Sequence, residues 1–593
     1  MSNPRVAQTH NKWAELLTYV PLAASLVALL VYSRKSLDFS DESLYLYLTA
    51  SPTQESTLAG VWNWYLNLIY RLSGEDIVLY RQISVVISFA CSYLFAWSYF
   101  SSTSNPKNTK IGIRLSLLPI MLTTVSCVFF YRYTLITPGY NWLAFIGVLL
   151  SISGAVKWLS GDLSLIWPAI SVIGLGLATI ARPTAGIIVL LAMLSYQKIR
   201  TDILRVSPAG KVFFATMISF VVLHHLFVVS ISATIKALQR TYLVSQVDES
   251  HSFVNLLTQA ATDVEKLPLM AVSISNFLIL IPVCFIFSFF VIKSKQLRTK
   301  VQVTLVLGSL SAFGILIVWK NALAYDPGSG NKIGQTLATL TLFGFLVAFS
   351  FRRTLSAEQN DLKVPISSEY SGSAPVLLLA GIVGYAFSSN NGLLSQSAGI
   401  GILYVALYLR YILRIGPQDL AQKILLFNVI FLLIVNAQVL HGAWQNPYRS
   451  VSLSENTYPV IVGGDSKILV SKSRAEDISK VKALSSKIDA DNKNLYLVDL
   501  SPFTTFIPYQ LEFKTIESPL IFHVNNLEGL AQRNRSPLLK AWILTSNSNT
   551  SVAPNELMEA LGKSFEDDYE LAYTLEGTYC RNLPCKLFLW KPI

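Results

Sequence analysis

Two adjacent carboxylic acids, Asp41 and Glu42, follow the first long apolar stretch of the sequence, in the segment LDFSDESLYLYL. A carboxylate at the mouth of a polar cavity between helices is partly desolvated, and it can then act as a general base on a hydroxyl. The alternative interpretation is structural: Ser40 caps a helix, and both acids stabilise its positive end by about 0.3–1 kcal/mol each. Which of the two interpretations holds depends on the helices and loops that surround the pair.

The chain is a predicted membrane protein. Of its 593 residues, 52% are hydrophobic and only 14% are charged, and such a composition is too apolar for a soluble protein of this size. We predict a polytopic α-helical membrane protein with about thirteen transmembrane helices. The expected spans are 15–32, 78–100, 113–131, 139–157, 162–180, 183–197, 211–233, 271–292, 301–319, 333–350, 374–388, 396–413 and 424–441. The segment IARPTAG joins two of them as either a tight hairpin or a broken helix.

The positive charges predict the orientation of the bundle. With a cytoplasmic N-terminus, every inner loop is basic, as in QKIRTDILR and KSKQLRTK, and Lys and Arg accumulate on the cytoplasmic side. The net charge of +12 therefore indicates topology and anionic lipid contact, with no nucleic-acid partner expected. We expect a multi-pass protein of the bacterial inner (cytoplasmic) membrane.

Three domains are predicted. Residues 1–77 hold the first span and an outer loop, in which an amphipathic helix around Trp62 and Trp64 lies in the membrane plane. Residues 78–442 form the helical bundle. Residues 443–593 form an extracytoplasmic α/β domain, because strand-like segments such as NLYLVDL alternate with helix-like ones. In that domain a disulfide between Cys580 and Cys585 is expected, with two reduced thiols in a hairpin as the alternative.

The layout resembles the GT-C superfamily of glycosyltransferases, and most nearly the protein O-mannosyltransferases and the aminoarabinose transferases of lipid A. The shared features are the acidic motif DES.Y after the first span, the in-plane helix behind it, the basic-inside bundle and the exported C-terminal domain. Three further segments resemble those enzymes: VLYRQIS, ITPGYNWLAFIGVLL and GLATIARPTAGIIVL. A KPP-like element after the acidic pair is missing, and SPTQEST stands in its place.

The resemblance implies a membrane glycosyltransferase that takes a sugar from a polyprenyl-phosphate donor. Asp41 would deprotonate the acceptor hydroxyl during inverting attack, and Glu42 would help to position it. Arg81 matches an arginine frequent at the start of span two and is expected to bind the donor phosphate. Tyr45, Tyr140 and Asn141 fall in matching motifs and are expected to contact substrate, although Asn141 stands where an acid is common. The acceptor would be a glycan, a lipid or a protein.

A phosphate leaving group gains charge in the transition state, so the reaction needs cations on the outer side. The candidates are Arg132, Arg182, Arg240, Lys320, Lys332 and Arg449. Arg182 and Lys320 are preferred because they fall at span ends, and snorkelling to headgroups is the alternative for each. Asn390 and Asn391, in SSNNGLLSQ, are candidates for binding sugar hydroxyls, although a tight turn explains them as well.

No cofactor is certain from the sequence. A divalent metal is possible if Asp41 is joined by Asp263 or Glu265, but no ligand spacing demonstrates such a site. Two other functions share the topology: a transporter or flippase of lipid-linked sugars, and a non-catalytic partner in envelope polysaccharide assembly. A transporter is expected to carry charges at the bilayer midplane, whereas this chain has its acids in an outer segment.

Overall fold

The fold was examined in a computed structural model. It describes residues 19–53, 61–102, 109–132, 136–247, a few residues between 255 and 265, 373–387, 392–413, 436–488, 495–501, 504–516, 535–547, 554–580 and 583–593. The N-terminal helices are α1 (Tyr19–Tyr32), α2 (Asp41–Ala50), α3 (Trp62–Leu72), α4 (Ile77–Ser101), α5 (Thr109–Val125), α6 (Tyr140–Leu159), α7 (Ile166–Ala181), α8 (Pro183–Leu194), α9 (Gln197–Leu204), α10 (Pro208–Leu223) and α11 (Ile231–Val247). They are followed by α12 (Ser373–Phe387), α13 (Leu393–Ser397), α14 (Gly401–Leu413) and the helical residues 436–445, here α15.

Four described helical stretches are long and apolar enough to cross a membrane: Ile77–Ser101, Tyr140–Leu159, Pro208–Val228 and Leu393–Arg410. Shorter apolar helices cover Tyr19–Tyr32, Leu117–Phe129, Ile166–Ala181, Pro183–Leu194 and Ala374–Phe387. The expected spans 271–292, 301–319 and 333–350 lie outside the described residues, as does most of 424–441. The described part therefore supports a helical membrane bundle but not a count of thirteen helices.

The closest helix pair of the bundle is α6 with α7, and glycine makes it possible. A Cβ on Gly174 would lie 2.2 Å from the Ser151 backbone nitrogen, and one on Gly147 would lie 2.4 Å from that of Ala178. Small residues let helix backbones approach in this way inside membranes, where apolar burial gives no drive for association. The two helices consequently pack backbone against backbone.

The segment IARPTAG breaks the chain sharply at one residue. Helix α7 ends at Ala181, Arg182 is extended, and α8 starts with Pro183 at its first position. Proline suits that position because it has no N–H to leave unpaired. Across the break, a Cβ on Gly186 would meet Thr179 Oγ1 at less than contact distance. Arg182 is thus held at a corner between two closely packed helices.

Two helices, α2 and α3, follow α1 and pack on each other. The amide of Asn67 donates to Thr49 O (2.8 Å), and the amide of Asn63 donates to Leu48 O (3.3 Å). On α3, Trp62, Leu66 and Tyr70 are buried, whereas Leu68 and Leu72 are 47% and 82% exposed. These two faces follow from the helical period, and the exposed leucines suit a helix that lies along a membrane surface.

The C-terminal part is an α/β domain. Its strands are β1 (Tyr458–Val462), β2 (Ser466–Val470), β3 (Tyr496–Asp499), β4 (Lys514–Thr515), β5 (Trp542–Ser546), β6 (Tyr569–Cys580) and β7 (Leu583–Pro592), and its helices are α16 (Lys472–Ser485), α17 (Phe506–Gln510), α18 (Arg535–Leu538), α19 (Pro554–Leu561) and α20 (Phe565–Asp568). β1 and β2 form a hairpin. The other five strands form a mixed sheet in the order β4-β3-β5-β7-β6.

In that sheet β3 runs parallel to β4 and β5, and β7 runs antiparallel to β5 and β6. Cys580 and Cys585 form a disulfide across the β6–β7 turn, with their Cα atoms 6.0 Å apart. A separate apolar cluster, which includes Val498, Ile543 and Leu557, lies within the domain. Other buried residues of the domain, such as Leu497 and Leu544, belong to the apolar cluster that continues into the helical bundle.

Candidate active site

The loop before α2 is organised by Asp38, a residue that the sequence interpretation overlooked. Its Oδ2 accepts a hydrogen bond from the Glu42 backbone N–H (3.3 Å), and its carbonyl accepts one from the Ser43 N–H (3.2 Å). Ser40 stands at the N-cap position but makes no side-chain cap; its hydroxyl donates instead to Asp38 Oδ2 (2.7 Å). Capping of α2 by the Ser40 hydroxyl is thus wrong, since the Asp38 carboxylate satisfies the free N–H.

Asp38 is 3% exposed. Its burial, reinforced by the nearby Asp41 carboxylate, raises the pKa of Asp38 to about 6, while Arg449, Ser40 and Arg474 act in the opposite direction. Desolvation penalises the charged form of a carboxyl group. Asp38 therefore lies buried behind the site, where it organises the loop.

Glu42 is locked into a buried ion pair. Arg81 Nη2 lies 2.6 Å from Glu42 Oε1, and the Thr137 hydroxyl donates to the same oxygen. The Asp38 N–H donates to Glu42 Oε2 (3.0 Å). Arg81 also donates to Thr137 Oγ1 (2.9 Å) and to the Ser33 carbonyl (2.9 Å). With its side chain 1% exposed and its donors directed to Glu42, Thr137 and Ser33, Arg81 is placed to orient Glu42 and the loop.

Asp41 differs from both neighbouring acids because its side chain remains 29% exposed. Its Oδ2 accepts a hydrogen bond from the Tyr448 hydroxyl (2.5 Å). Its Oδ1 lies 3.4 Å from Arg449 Nη1, which also donates to the Ser40 hydroxyl. Of the three acids at positions 38, 41 and 42, Asp41 alone keeps a carboxylate that an incoming group can reach.

A wall of aromatic rings connects Asp41 to Arg182. One turn along α2 from Asp41, Tyr45 packs edge-on against Trp62 and Tyr140, with ring centroids 6.0 Å apart in each pair. The Arg182 guanidinium carbon lies 5.3 Å from the Tyr140 ring centroid. The pKa of Tyr45 is raised well above its usual value, mainly by burial and then by Tyr140 and Asp41, whereas Arg182 lowers it. Asp41 and Arg182, at the two ends of the wall, thus act in opposite directions on the pKa of the Tyr45 phenol.

Gly139 makes room for that wall. A Cβ at this position would lie 2.8 Å from Tyr45 Cε2, so any larger residue displaces the ring. Gly139 is also the N-cap of α6, and the N-terminal end of a helix carries a partial positive charge. The segment TPGY therefore brings a helix N-terminus and a cluster of aromatic rings to the same place.

Arg182 is 2% exposed and is held at the corner between α7 and α8. It donates to the Tyr385 carbonyl and to the Asn141 side-chain oxygen, and its Cζ lies 4.7 Å from the Tyr385 ring centroid. Within the described part of the chain, Arg182 Nε is buried and has no hydrogen-bond partner. The Asn141 amide oxygen satisfies part of the guanidinium without cancelling its charge, as an acid there would.

A second guanidinium, that of Arg132, lies on the far side of Tyr385. Arg132 donates to the Ser395 carbonyl (3.0 Å), and both Arg132 and Arg182 act electrostatically on the Tyr385 phenol. A Cβ on Gly399 would lie 3.1 Å from Arg132 Nη1 and 3.2 Å from the Tyr385 hydroxyl. The bundle thus gathers two buried cations around one tyrosine.

The C-terminal domain packs against the loop that carries Asp41 and forms hydrogen bonds with it. The Phe39 ring stacks on Phe506 (4.2 Å between centroids), and the Arg474 guanidinium carbon lies 3.9 Å from the Phe39 centroid. The Thr505 hydroxyl donates to the Ser40 carbonyl, and the Phe506 N–H donates to the Phe39 carbonyl (3.0 Å). Burial lowers the pKa of Arg474 to about 10, although Asp38 and Asp477 oppose this. The loop that carries Asp41 therefore lies between the helical bundle and the C-terminal domain and contacts both.

The remaining candidates lie elsewhere. Lys320, Lys332, Asn390 and Asn391 fall outside the described residues, as does the side chain of Arg240. Asp263 Oδ2 accepts a hydrogen bond from the Leu394 N–H (3.3 Å) and so caps α13. Among the described residues, no group of three His, Cys, Asp or Glu side chains is arranged to hold a metal ion.

Fold and site together describe a helical membrane protein in which the loop after α1 carries an accessible carboxylate, faced by buried arginines and contacted by an α/β domain. Several solved structures are similar to it. ArnT from Cupriavidus metallidurans, in the apo state and bound to undecaprenyl phosphate, shares 13% identity, with a TM-score of 0.38 and 98% of each chain covered. The oligosaccharyltransferase of Archaeoglobus fulgidus, in a complex with Zn and sulfate, shares 11% identity with a TM-score of 0.46, covering 89% of this chain and 68% of that one.

No protein-family profile matches the chain, and no curated protein sequence matches it. At such identities the three likenesses concern the course of the fold alone. The chemistry has to be argued from the residues of the site itself.

Proposed function

We propose that this protein is a membrane glycosyltransferase that transfers a sugar from a polyprenyl-phosphate donor to an acceptor hydroxyl, with inversion, on the outer face of a bacterial inner membrane. One observation carries the proposal: a partly exposed carboxylate, Asp41, is joined to a buried arginine, Arg182, by a wall of aromatic rings. A general base and a cationic phosphate site are the two groups that this transfer requires.

Asp41 is the proposed base. Its carboxylate is held by Tyr448 and Arg449 yet remains accessible, whereas Asp38 and Glu42 are buried and used within the loop. In the proposed step Asp41 takes the proton of the acceptor hydroxyl while that oxygen bonds to the anomeric carbon. The bond from this carbon to the phosphate oxygen breaks on the opposite side, and the polyprenyl phosphate leaves with the electron pair.

Arg182 and Arg132 are the proposed phosphate site. A buried guanidinium with unused hydrogen-bonding capacity, such as that of Arg182 within the described residues, costs free energy, and an incoming phosphate recovers it through charge-assisted hydrogen bonds. The open hydrogen-bonding capacity of Arg182 Nε and the N-terminus of α6 both favour an anion at this corner. Tyr140, which is half-buried, then offers a ring on which the sugar can pack between the phosphate and Asp41, and Tyr45 supports that ring from behind.

A donor-cleavage assay tests this function. The purified chain in lipid nanodiscs is given short-chain polyprenyl phosphates linked to mannose, glucose, galactose or 4-aminoarabinose, together with a mixture of glycan, lipid and peptide acceptors. Release of free polyprenyl phosphate is measured by mass spectrometry. Asp41→Asn is expected to lower the release about 10²-fold or more, the usual loss when a general base is removed.

Glu570→Gln is the matched control, because Glu570 is an exposed carboxylate paired with Lys591 on the C-terminal sheet, and its release should equal that of wild type. Release by Asp41→Asn at the wild-type rate contradicts the role of Asp41. If wild type cleaves none of the four donors, the protein is not a glycosyltransferase for these sugars. Flipping of the same donors without cleavage supports a transporter instead.

A further inference from the structure

Asp41 is covered by a short loop with fixed ends, residues 445–452. The Leu453 N–H donates to the Trp444 carbonyl (2.8 Å), which closes the base of the loop. Lys35 Nζ donates to the Leu453 carbonyl (2.8 Å), and the Tyr32 ring packs 5.2 Å from that of Trp444. Both ends of the 445–452 loop are thereby tied to the outer end of α1.

The tip of this loop rests on both oxygens of Asp41. Tyr448 donates to Oδ2 (2.5 Å), and Arg449 lies 3.4 Å from Oδ1. The Arg449 backbone has a φ of +46°, a left-handed conformation that a residue with a side chain adopts only when its surroundings hold it there. The tip is also tied to the domain, because Arg474 Nη2 donates to the Arg449 carbonyl (3.4 Å).

The Tyr448 hydroxyl makes the hydrogen bond to Asp41 that an acceptor hydroxyl would make, but it does not react with the sugar. It donates to the oxygen of the base at hydrogen-bond distance, as an acceptor hydroxyl must before it loses its proton. Burial and the neighbouring Asp41 carboxylate both raise the pKa of Tyr448 far above its usual value, so the phenol keeps its proton. A side chain fixed at the tip of a pinned loop also has no path to the sugar.

Given the proposed function, we infer that Tyr448 is a specificity-determining residue, whose hydroxyl occupies the acceptor's place on Asp41 until an acceptor hydroxyl displaces it. In its absence a water molecule could take that place, transfer a proton to Asp41 and attack the anomeric carbon. The products would be the free sugar and the polyprenyl phosphate, and the donor would be wasted. An acceptor that displaces Tyr448 has to move the tip of the 445–452 loop against the Arg474–Arg449 hydrogen bond (3.4 Å), while both ends of the loop stay tied to α1.

Hydrolysis without acceptor tests the inference directly. The chain in nanodiscs is given the polyprenyl-phosphate sugar that wild type cleaves, and release of free sugar is measured over time. Tyr448→Phe is expected to raise that release about tenfold, because removing a hydrogen bond to a charged carboxylate both frees its oxygen and makes it more basic. Tyr569→Phe is the control, since its hydroxyl donates to the Leu538 carbonyl inside the C-terminal domain. Unchanged or slower hydrolysis by Tyr448→Phe overturns the inference.

A second measurement needs no substrate. Hydrogen–deuterium exchange is followed in peptides covering 445–452 for wild type, Asp41→Asn and Tyr569→Phe. If the tip is held by Asp41, exchange in this loop rises in Asp41→Asn and stays at the wild-type rate in the control. Unchanged exchange in Asp41→Asn overturns the inference even where the donor is cleaved. Faster exchange together with no donor cleavage by wild type overturns the proposed function, and the role of Tyr448 with it.

Discussion

Three acids within five residues acquire three roles from their surroundings. Asp38 is buried and caps α2, Glu42 is buried and paired with Arg81, and Asp41 remains accessible between Tyr448 and Arg449. Their chemistry is nearly identical, so burial and partners make the difference. A sequence interpretation can identify the acidic motif, but it cannot distribute these roles, because the partners that distinguish Glu42 and Asp41, Arg81 and Arg449, lie 39 and 408 residues away.

The buried pair Glu42–Arg81 predicts a large loss of stability when it is broken from one side. Arg81→Ala leaves the Glu42 carboxylate buried, with side-chain exposures of 1% and 6% in the intact pair. A buried charge stripped of its partner typically costs about 3–5 kcal/mol. The measurement is thermal unfolding of the purified chain in detergent.

The control for that experiment is Lys586→Ala. Lys586 pairs with Glu576 at 2.5 Å, but both side chains are more than half exposed. Exposed pairs contribute roughly 0–1 kcal/mol, so its unfolding temperature should stay close to that of wild type. Equal losses in the two variants would show that Glu42 and Arg81 are not held as a buried pair.

Asp499, at the end of β3, predicts a pH dependence of stability. It is fully buried, its Oδ1 accepts from the Ser501 N–H (3.0 Å), and Oδ2 has no hydrogen-bond partner within the described part of the chain. Burial raises the pKa of Asp499 to about 7, against the smaller opposing effect of Ser501 and Thr504. The folded state then binds a proton that the unfolded state has released, so stability falls as pH rises between about 4 and 7.

Asp499→Asn should remove that dependence, because the amide imitates the protonated acid. We expect the variant to be more stable than wild type at pH 8, by at most a few kcal/mol, and close to it at pH 4. Unfolding temperatures of both proteins at pH 4, 5, 6, 7 and 8 provide the measurement. A constant difference across that range would show that Asp499 does not titrate there.

At the scale of elements, the contact of α6 with α7 depends on glycine. In Gly174→Ala the new Cβ would meet two backbone atoms, Ser151 N at 2.2 Å and Gly147 O at 2.6 Å. Backbone atoms cannot rotate aside as a side chain can, so the two helices must separate. Such overpacking costs about 1–3 kcal/mol or more. A lower unfolding temperature in nanodiscs is the expected result.

Gly176→Ala, on the same helix, is the matched control. Its Cβ would meet only the Phe220 ring, with its nearest atoms Cε1 and Cζ at 2.5 Å, and a half-buried ring can rotate aside. Alanine is also favoured over glycine in a helix by about 1 kcal/mol. This variant should therefore be as stable as wild type or slightly more so, and a loss as large as that of Gly174→Ala would contradict the packing argument.

Local patterns were sufficient to predict many elements of this chain. The patterns at 474–489 and 554–563 each predict a helix, and the structure has helices at Lys472–Ser485 and Pro554–Leu561, while NLYLVDL contains β3. Periodicity carries this information, since each pattern matches one face of a helix or strand. Strand β1, YPVIV, was not predicted, because the proline at its second position removes a backbone donor and argues against a strand.

The site was less accessible from the sequence. Asp41, Tyr45, Tyr140, Asn141, Arg132 and Arg182 could be nominated individually, and the structure brings them to one region. Tyr448 and Thr505 could not, since they contact the loop across 407 and 465 residues. Contacts across several hundred residues are made by tertiary packing, which no local pattern encodes. Asp38 gave no capping signal either, because an N-cap side chain bonds the N–H two or three residues on, whereas Asp38 reaches the Glu42 N–H across four residues.

At the scale of the whole molecule, the bundle and the C-terminal domain meet on the loop that carries Asp41. Phe39 leaves the loop and inserts between Phe506, Tyr579 and Arg474 of the domain. Loop carbonyls accept hydrogen bonds from Thr505 and Phe506 at the same place. The domain therefore fixes the geometry of the proposed base, in addition to any part it has in binding an acceptor.

These contacts predict that Phe39→Ala weakens the connection between the loop that carries Asp41 and the C-terminal domain. Phe39 is 1% exposed, and removing a buried phenylalanine ring costs about 3–5 kcal/mol. Because the lost contacts join the loop to α17, faster hydrogen–deuterium exchange is expected both in peptides over 37–46 and in peptides over 504–510. Phe565→Ala serves as the control, since Phe565 packs on Tyr569 and Trp590 within the domain and its loss should raise exchange near those residues alone. If Phe39→Ala leaves 504–510 at the wild-type rate, the domain does not hold the loop, and the position of Asp41 must be set by the bundle.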